Sequence, residues 1–250
     1  MLTLALSAML LGQNPLRASE TDDRIVDAAK KSYVFKTFLV DDAIKAESKD
    51  GAVTLTGTVN EDSHKQLALE TVSGLPGVKS VSNQIEVKEN PPANSDTWLY
   101  MKVKSSLAYH RSVSAFNTKV EIKEGVATLT GEASSQAQKD LATEYAMDVE
   151  GVKDVKNKMT VASAATKPKE TLGELIDDAS ITAQVRMSLL THRSTNAFKT
   201  TVETTEGVVT VGGAAKNTAQ KILVTKLVAD INGVKSVVNN MVVAAAISSN

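Results

Sequence analysis

The chain contains no cysteine. That removes disulfide staples, thiolate metal ligands and cysteine nucleophiles at once, and it fits an oxidising compartment. Aromatic residues make up 4% of the sequence, with a single Trp, too few for a platform that stacks nucleic-acid bases. A formal net charge of −1 gives no electrostatic footprint for nucleic acid either. The three histidines, His64, His110 and His192, lack the clustered carboxylates that would complete a metal ligand set. No HExxH, no phosphate-cradling glycine loop and no recurring Ser/His/Asp set is found. Catalytic residues, metal, cofactor and small-molecule substrate are therefore all expected to be absent.

Long apolar runs are missing as well. The one candidate, Met1–Gly12, is too short to span a bilayer and has the character of a signal-peptide apolar region. No Lys or Arg precedes it, and Leu16 spoils the small-x-small cleavage pattern near Ala18. The segment 1–20 is read as signal-like, against the plainer reading of an apolar tail.

What the sequence does have is a repeat, and finding it comes before any other reading. Gly51-Ala52-Val53-Thr54-Leu55-Thr56-Gly57 returns as Gly125-Val126-Ala127-Thr128-Leu129-Thr130-Gly131 and as Gly207-Val208-Val209-Thr210-Val211-Gly212-Gly213. Each is followed 26 positions on (51 to 77, 125 to 151, 207 to 233) by Gly77-Val78-Lys79-Ser80-Val81, Gly151-Val152-Lys153-Asp154-Val155 and Gly233-Val234-Lys235-Ser236-Val237. One small domain is repeated three times, over 22–88, 95–161 and 176–243. Domains this small bury thin cores and leave little room for a deep pocket.

Aligned without gaps, the copies give a helical stripe at i, i+4 and i+8: Ile25-Ala29-Tyr33, Leu99-Val103-Leu107 and Ile181-Val185-Leu189. Asp22-Asp23 and Asp177-Asp178 stand where such a helix would start, as capping residues. Asp41-Asp42 is a third adjacent pair. A half-buried strand follows (Ile44-Ala46-Ser48, Thr118-Val120-Ile122, Thr200-Val202-Thr204). A tight turn comes next at Asp50-Gly51, Glu124-Gly125 and Glu206-Gly207, and then the returning Val-Thr-Leu-Thr strand. A second helix carries Leu67-Thr71-Val72-Leu75, Leu141-Tyr145-Ala146-Val149 and Leu223-Leu227-Val228-Ile231. Gly77, Gly151 and Gly233 are read as its C-terminal caps. Gly51, Gly57, Gly125, Gly131, Gly207 and Gly213 are read as turn and strand-end residues. A final strand alternates as Val81-Asn83-Ile85-Val87, Val155-Asn157-Met159-Val161 and Val237-Asn239-Met241-Val243. The expectation is an α+β fold: three tandem αββαβ domains, each a three-stranded mixed sheet with two helices on one face. Pro91-Pro92 stiffens the first connection; Ala162 to Gly173 is longer and looser.

The (D/E)-G-x-V-x-L-x-G turn and strand, with the G-V-x-x-V-x-N-x-(I/M/L)-x-V close, resembles the BON domain of Gram-negative envelope proteins. Both marks stand in the first two copies, with Ala127 at the Val place of the second; the third departs at Val211-Gly212. The resemblance implies an αββαβ fold and residence in the periplasm. It also implies support of envelope integrity or osmotic-stress protection, binding of phospholipid surfaces or of other envelope proteins, and no catalysis.

Two groups of residues are candidates for lipid contact. Trp98 lies one position off the buried stripe, on the same side as Lys102, with Tyr100 and Lys104 flanking. A Trp beside lysines suits an anionic phospholipid membrane surface, the ring at headgroup level and the ammonium on phosphate. It equally suits packing on a neighbouring repeat or on the Pro91-Pro92 linker. His110-Arg111-Ser112 and His192-Arg193-Ser194 recur at the end of the first helix, where copy one has Lys36-Thr37-Phe38. They could hold a phosphate, or simply satisfy helix-end carbonyls. The expected function is a non-enzymatic periplasmic protein on anionic phospholipid surfaces, or alternatively a chaperone or protein adaptor that uses exposed sheet edges.

Overall fold

The computed structural model describes residues 15–88, 91–113, 118–162, 176–195 and 200–243. Met1–Gly12, most of the second connection and the tail after Val243 lie outside the described residues.

Three units repeat one architecture. Unit 1 runs α1 (Pro15–Lys31), α2 (Tyr33–Thr37), β1 (Ala43–Lys49), β2 (Ala52–Val59), α3 (Asp62–Ser73), β3 (Ser80–Asn83) and β4 (Glu86–Val87). Unit 2 runs α4 (Asp96–Tyr109), β5 (Thr118–Lys123), β6 (Val126–Ala133), α5 (Gln136–Met147), β7 (Asp154–Asn157) and β8 (Thr160–Val161). Unit 3 runs α6 (Asp178–Thr191), β9 (Thr200–Thr205), β10 (Val208–Ala215), α7 (Thr218–Ala229), β11 (Ser236–Asn239) and β12 (Val242–Val243).

In each sheet the long strand is central. β2 pairs antiparallel with β1 and parallel with β3 and β4. The last two strands hold one register on β2, Ala52 opposite Ser80 and Thr58 opposite Glu86. They are one strand interrupted at Gln84-Ile85, the third strand of the expected mixed sheet. Asn83 makes the interruption: its side-chain amide donates to the Lys65 carbonyl on α3 while its oxygen accepts the Ile85 N–H. Asn157 and Asn239 repeat both bonds, on Lys139 and Met159 and on Lys221 and Met241. The Asn of the closing motif therefore bolts the second helix to the last strand.

The hairpin turns have positive φ at both central residues, 54° and 82° at Asp50 and Gly51, as a type I′ turn requires. The non-glycine residue in that pair is disfavoured there, and an aspartate offsets the cost. Asp22 accepts the N–H groups of Asp50 and Gly51. Asp96 accepts those of Glu124 and Gly125, and Asp178 those of Glu206 and Gly207. The expected capping role is thus corrected in part. Asp22 lies inside α1, and the cap of α6 is Asp177, whose side chain accepts from the Ser180 N–H. The residue that follows Asp177 clamps the turn.

Two further expectations change. Gly77, Gly151 and Gly233 are not helix caps: the second helices end at Ser73, Met147 and Ala229. These glycines lie beyond the ends, with φ of 91°, 94° and 85°, in loops that press on the first helix. A Cβ on Gly233 would stand 2.9 Å from Ile176 and 3.0 Å from Ile181. In unit 1 the first helix breaks at Ser32, so Val34 takes the buried place expected for Tyr33, which is half-buried. The break has a cause in unit 3: the Tyr33 N–H donates to Asp177 and the Val34 N–H to Ser180.

The stripes of α4 and α6 are buried as read, and so are Leu67, Thr71 and Val72 on α3 and Leu75 just past its end. The units are not strung out separately. Helix α6 is covered nearly all round, with Ser180 and Gln184 fully buried alongside Ile181 and Val185. A helix enclosed on every side belongs to the interior of a larger body. It packs on its own sheet, on α3 of unit 1 and on α4 of unit 2, and Arg186 bridges to Glu70 at 2.5 Å.

Candidate functional site

The repeated His-Arg pairs lie where units 2 and 3 meet. The chain leaves α4 at His110 in an extended conformation (ψ 123°) and leaves α6 at His192 in the same way (ψ 125°). Each then forms a β-bridge with the other unit: His110 opposite Ile231, and His192 opposite Val149. The Arg111 N–H donates to the Asp230 carbonyl and the Arg193 N–H to the Asp148 carbonyl, both at 2.9 Å. The guanidiniums follow suit, Arg111 on the carbonyl of Ala229 and Arg193 on that of Met147. Arg193 also reaches the Val149 and Val152 carbonyls.

The carbonyls and bridge residues that these two segments engage in unit 3 have their equivalents in unit 2 at 82 positions lower (229 and 147, 230 and 148, 231 and 149). The surface is self-complementary, the intramolecular form of an isologous dimer. The helix ends that these arginines satisfy are those of α5 and α7, not of the helices that carry them. Basic groups at helix C-termini are favoured by unpaired carbonyls and the dipole, but here the helix belongs to the other unit.

Around this contact the titratable groups engage one another. His192 Nε2 lies 3.0 Å from Asp148, and His110 Nδ1 lies 3.5 Å from Asp230. The His110 ring stacks on Tyr145 at 3.9 Å and its Nε2 meets the Ser188 hydroxyl at 3.1 Å. Tyr145 and Ser112 both donate to the Asp230 carboxylate. Burial pushes Asp230 up, but the His110 ring beside it and the hydrogen bonds from Ser112 and Tyr145 outweigh it and hold the carboxyl below its ordinary range. The His192 hydrogen bond does the same for Asp148. Burial pulls His110 down, toward the neutral ring.

With His110 at 2% and His192 at 8% exposure, and both arginines committed to carbonyls, these four residues face the neighbouring unit in this arrangement. Sequence reasoning missed their partners Asp148, Asp230 and Tyr145. A signal was available: an Asp stands at 148 and 230, in the copies that carry His-Arg, while copy one has Gly74 there and Thr37 in place of the arginine.

Helix α4 presents the second group. Ser95 caps it, its side chain accepting the Trp98 N–H. Lys102 Nζ lies 5.4 Å from the Trp98 ring centre and Lys104 Nζ 5.7 Å from that of Tyr100, both within cation–π range. Trp98, Tyr100 and Lys102 are half-buried and Lys104 is exposed. The two pairs flank the helix on either side of its buried stripe. The outer face between them turns toward unit 1, where Phe38 meets Tyr109 edge to face at 5.4 Å.

Unit 1 contributes a third cluster there. His64 lies between two carboxylates, 2.6 Å from Asp42 and 3.0 Å from Glu61. Burial pulls His64 down, but the hydrogen bond and charge of Glu61, with those of Asp42, hold it above its ordinary value. In the other copies the equivalent pairs are Ser135 with Gln138 and Asn217 with Gln220: the cap side chain accepts the Gln N–H, and the Gln side chain accepts the N–H of the residue before the cap, Ser134 or Lys216. Glu61 makes no such cap bond. Among the described residues no group of three or more His, Asp or Glu is placed to hold a metal ion. Likewise, no described helix is long and apolar enough to cross a membrane.

Comparison with known proteins agrees with this architecture. The chain is 29% identical over 165 residues to Osmotically-inducible protein Y of Escherichia coli (strain K12), covering 65% of this chain and 81% of that protein. It is 28% identical over 142 residues to Outer membrane lipoprotein DolP of Haemophilus influenzae, covering 55% and 73%. It is 31% identical over 115 residues to the 21 kDa hemolysin of Actinobacillus pleuropneumoniae, covering 45% and 59%. The BON domain profile matches three times, at residues 21–89, 95–163 and 177–245. The chain belongs to the BON domain family.

Proposed function

We propose that this protein is a non-catalytic component of the bacterial envelope, resident in the periplasm, that contacts anionic phospholipid surfaces through α4 and supports envelope integrity under osmotic stress. The observation that carries the reading is the pair of aromatic–lysine contacts, Trp98 with Lys102 and Tyr100 with Lys104. Amphipathic rings settle at the headgroup level while lysines meet phosphate. The envelope setting is supported by relatives named as osmotically inducible and as an outer-membrane lipoprotein. The non-catalytic reading is supported by the way buried His and Asp groups at the unit 2–unit 3 contact are spent on one another. His110, Arg111, His192 and Arg193 would serve the membrane contact indirectly, by fixing unit 2 against unit 3.

Flotation with vesicles of mixed anionic and zwitterionic phospholipid tests this. Wild-type protein is expected to float with anionic vesicles, weakly with zwitterionic ones, and less as salt rises. Trp98→Ala with Lys102→Ala should remain at the bottom of the gradient. Protein that never floats would overturn the reading.

A further inference from the structure

The three sheets have equivalent outer edges, and unit 2 treats its edge differently from unit 3. The two-residue hairpin fixes which backbone groups of β5 face β6. Counting back from the closing pair Lys123–Val126, the N–H and C=O of Ile122 and Val120 point outward, away from β6. In unit 3 the equivalents are Thr204 and Val202 on β9. There α6 covers them: Thr182 hydrogen-bonds the Thr204 hydroxyl at 2.7 Å, and Arg186 donates to the Val202 carbonyl at 3.1 Å while held by Glu70.

In unit 2 the positions of Thr182 and Arg186 are Tyr100 and Lys104. These two pair with each other rather than reaching the strand. Two hollows of about 590 and 820 Å³ run alongside β5. Tyr100 borders both, and the larger continues to Phe38 and Tyr109 at the contact with unit 1. Among the described residues, no side chain donates to the outward carbonyls of Val120 or Ile122.

An unpaired strand edge beside an aromatic-lined groove is the geometry of peptide capture by strand addition. We infer that the β5 edge of unit 2 binds an extended polypeptide segment, which adds to the sheet as a fourth strand. Its main chain pairs with Val120 and Ile122. Alternate side chains enter the groove at Tyr100 and Phe38 and are apolar. The others lie across from Lys119, Glu121 and Lys123, which are exposed along β5, and so read acidic–basic–acidic. This goes beyond the lipid reading and does not depend on it.

The probe is a labelled heptapeptide, Ser-Glu-Val-Lys-Val-Glu-Ser, titrated with the full chain by fluorescence anisotropy, with backbone amide exchange followed in parallel. Saturable binding with slowed exchange at the Val120 and Ile122 amides is expected. The exposed charge swap Lys119→Glu with Lys123→Glu should weaken binding by about tenfold and, because Glu121 stays in place between them, gain the all-lysine peptide, Ser-Lys-Val-Lys-Val-Lys-Ser. Its vesicle flotation should match wild type, which separates a failure here from a failure of the lipid reading. No saturable binding up to millimolar peptide would overturn the inference, as would binding that leaves the two amides unprotected or ignores the charge swap.

Discussion

The backbone N–H of Arg193 donates to the carbonyl of Asp148 at 2.9 Å, joining the end of the first helix of unit 3 to the end of the second helix of unit 2. The equivalent bond from Arg111 to Asp230 returns the contact. Two copies that diverged in sequence have kept the residues through which they grip each other.

Removing one guanidinium should loosen this grip. Arg193→Ala takes the guanidinium away from the Met147 carbonyl at the end of α5 and from the Val149 and Val152 carbonyls just beyond it. A charged hydrogen bond of this kind contributes about 1.5–3 kcal/mol, and solvent at the exposed guanidinium places the expected loss toward the lower end. Urea unfolding of the full chain measures it; a midpoint unchanged from wild type would count against the lock.

Acid should attack the same contact. The folded carboxyls of Asp148 and Asp230 are held below their ordinary value. Their stabilisation is therefore present above about pH 3.9 and is lost as pH falls through the lower folded values. His110 is held down by burial, so the stability it favours is present above about pH 6.5 and weakens as pH falls through its folded value. Asp230→Asn should flatten the acid limb of a stability–pH curve; an unchanged acid limb would contradict the assignment.

His64 works in the opposite direction. Its folded value is raised by Glu61 and Asp42. Its contribution is complete below about pH 6.5 and disappears as pH rises through the higher folded value. Gln, the residue at the equivalent positions 138 and 220, is the natural replacement. His64→Gln should remove the decline in stability between neutral and mildly alkaline pH, as followed by thermal unfolding across that range.

The closing-motif asparagine should be costly to lose. Asn157→Ala strips two donor bonds to α5 and one acceptor bond to Met159, leaving partly buried backbone groups unpaired. A loss of about 1–3 kcal/mol is expected, measured by denaturant unfolding; a change within about 0.5 kcal/mol would mean the bolt carries no weight.

Much of the fold was legible because each unit's pattern is local. The period of Leu99, Val103 and Leu107 marks a helix, and Glu124-Gly125 marks a hairpin, without reference to anything distant. What could not be read depends on partners far along the chain. The helical period puts Tyr33 at a third core position, but its N–H donates to Asp177, and the helix breaks before it. Asp22 has the composition of a cap and serves as a turn clamp, because the turn it holds is brought to it by the sheet. His110 and Arg111 carried the right chemistry for a helix end; which helix was a tertiary fact. The linkage of His-Arg to an Asp in the same copies was present in the sequence, and comparison between copies could have found it.

Trp98 is the sole Trp, so its fluorescence reports the proposed membrane contact directly. Titrating wild-type protein with anionic phospholipid vesicles should shift the emission to shorter wavelength and raise it, with little change from zwitterionic vesicles and reversal by salt. Emission that is the same with and without anionic vesicles would contradict contact through α4.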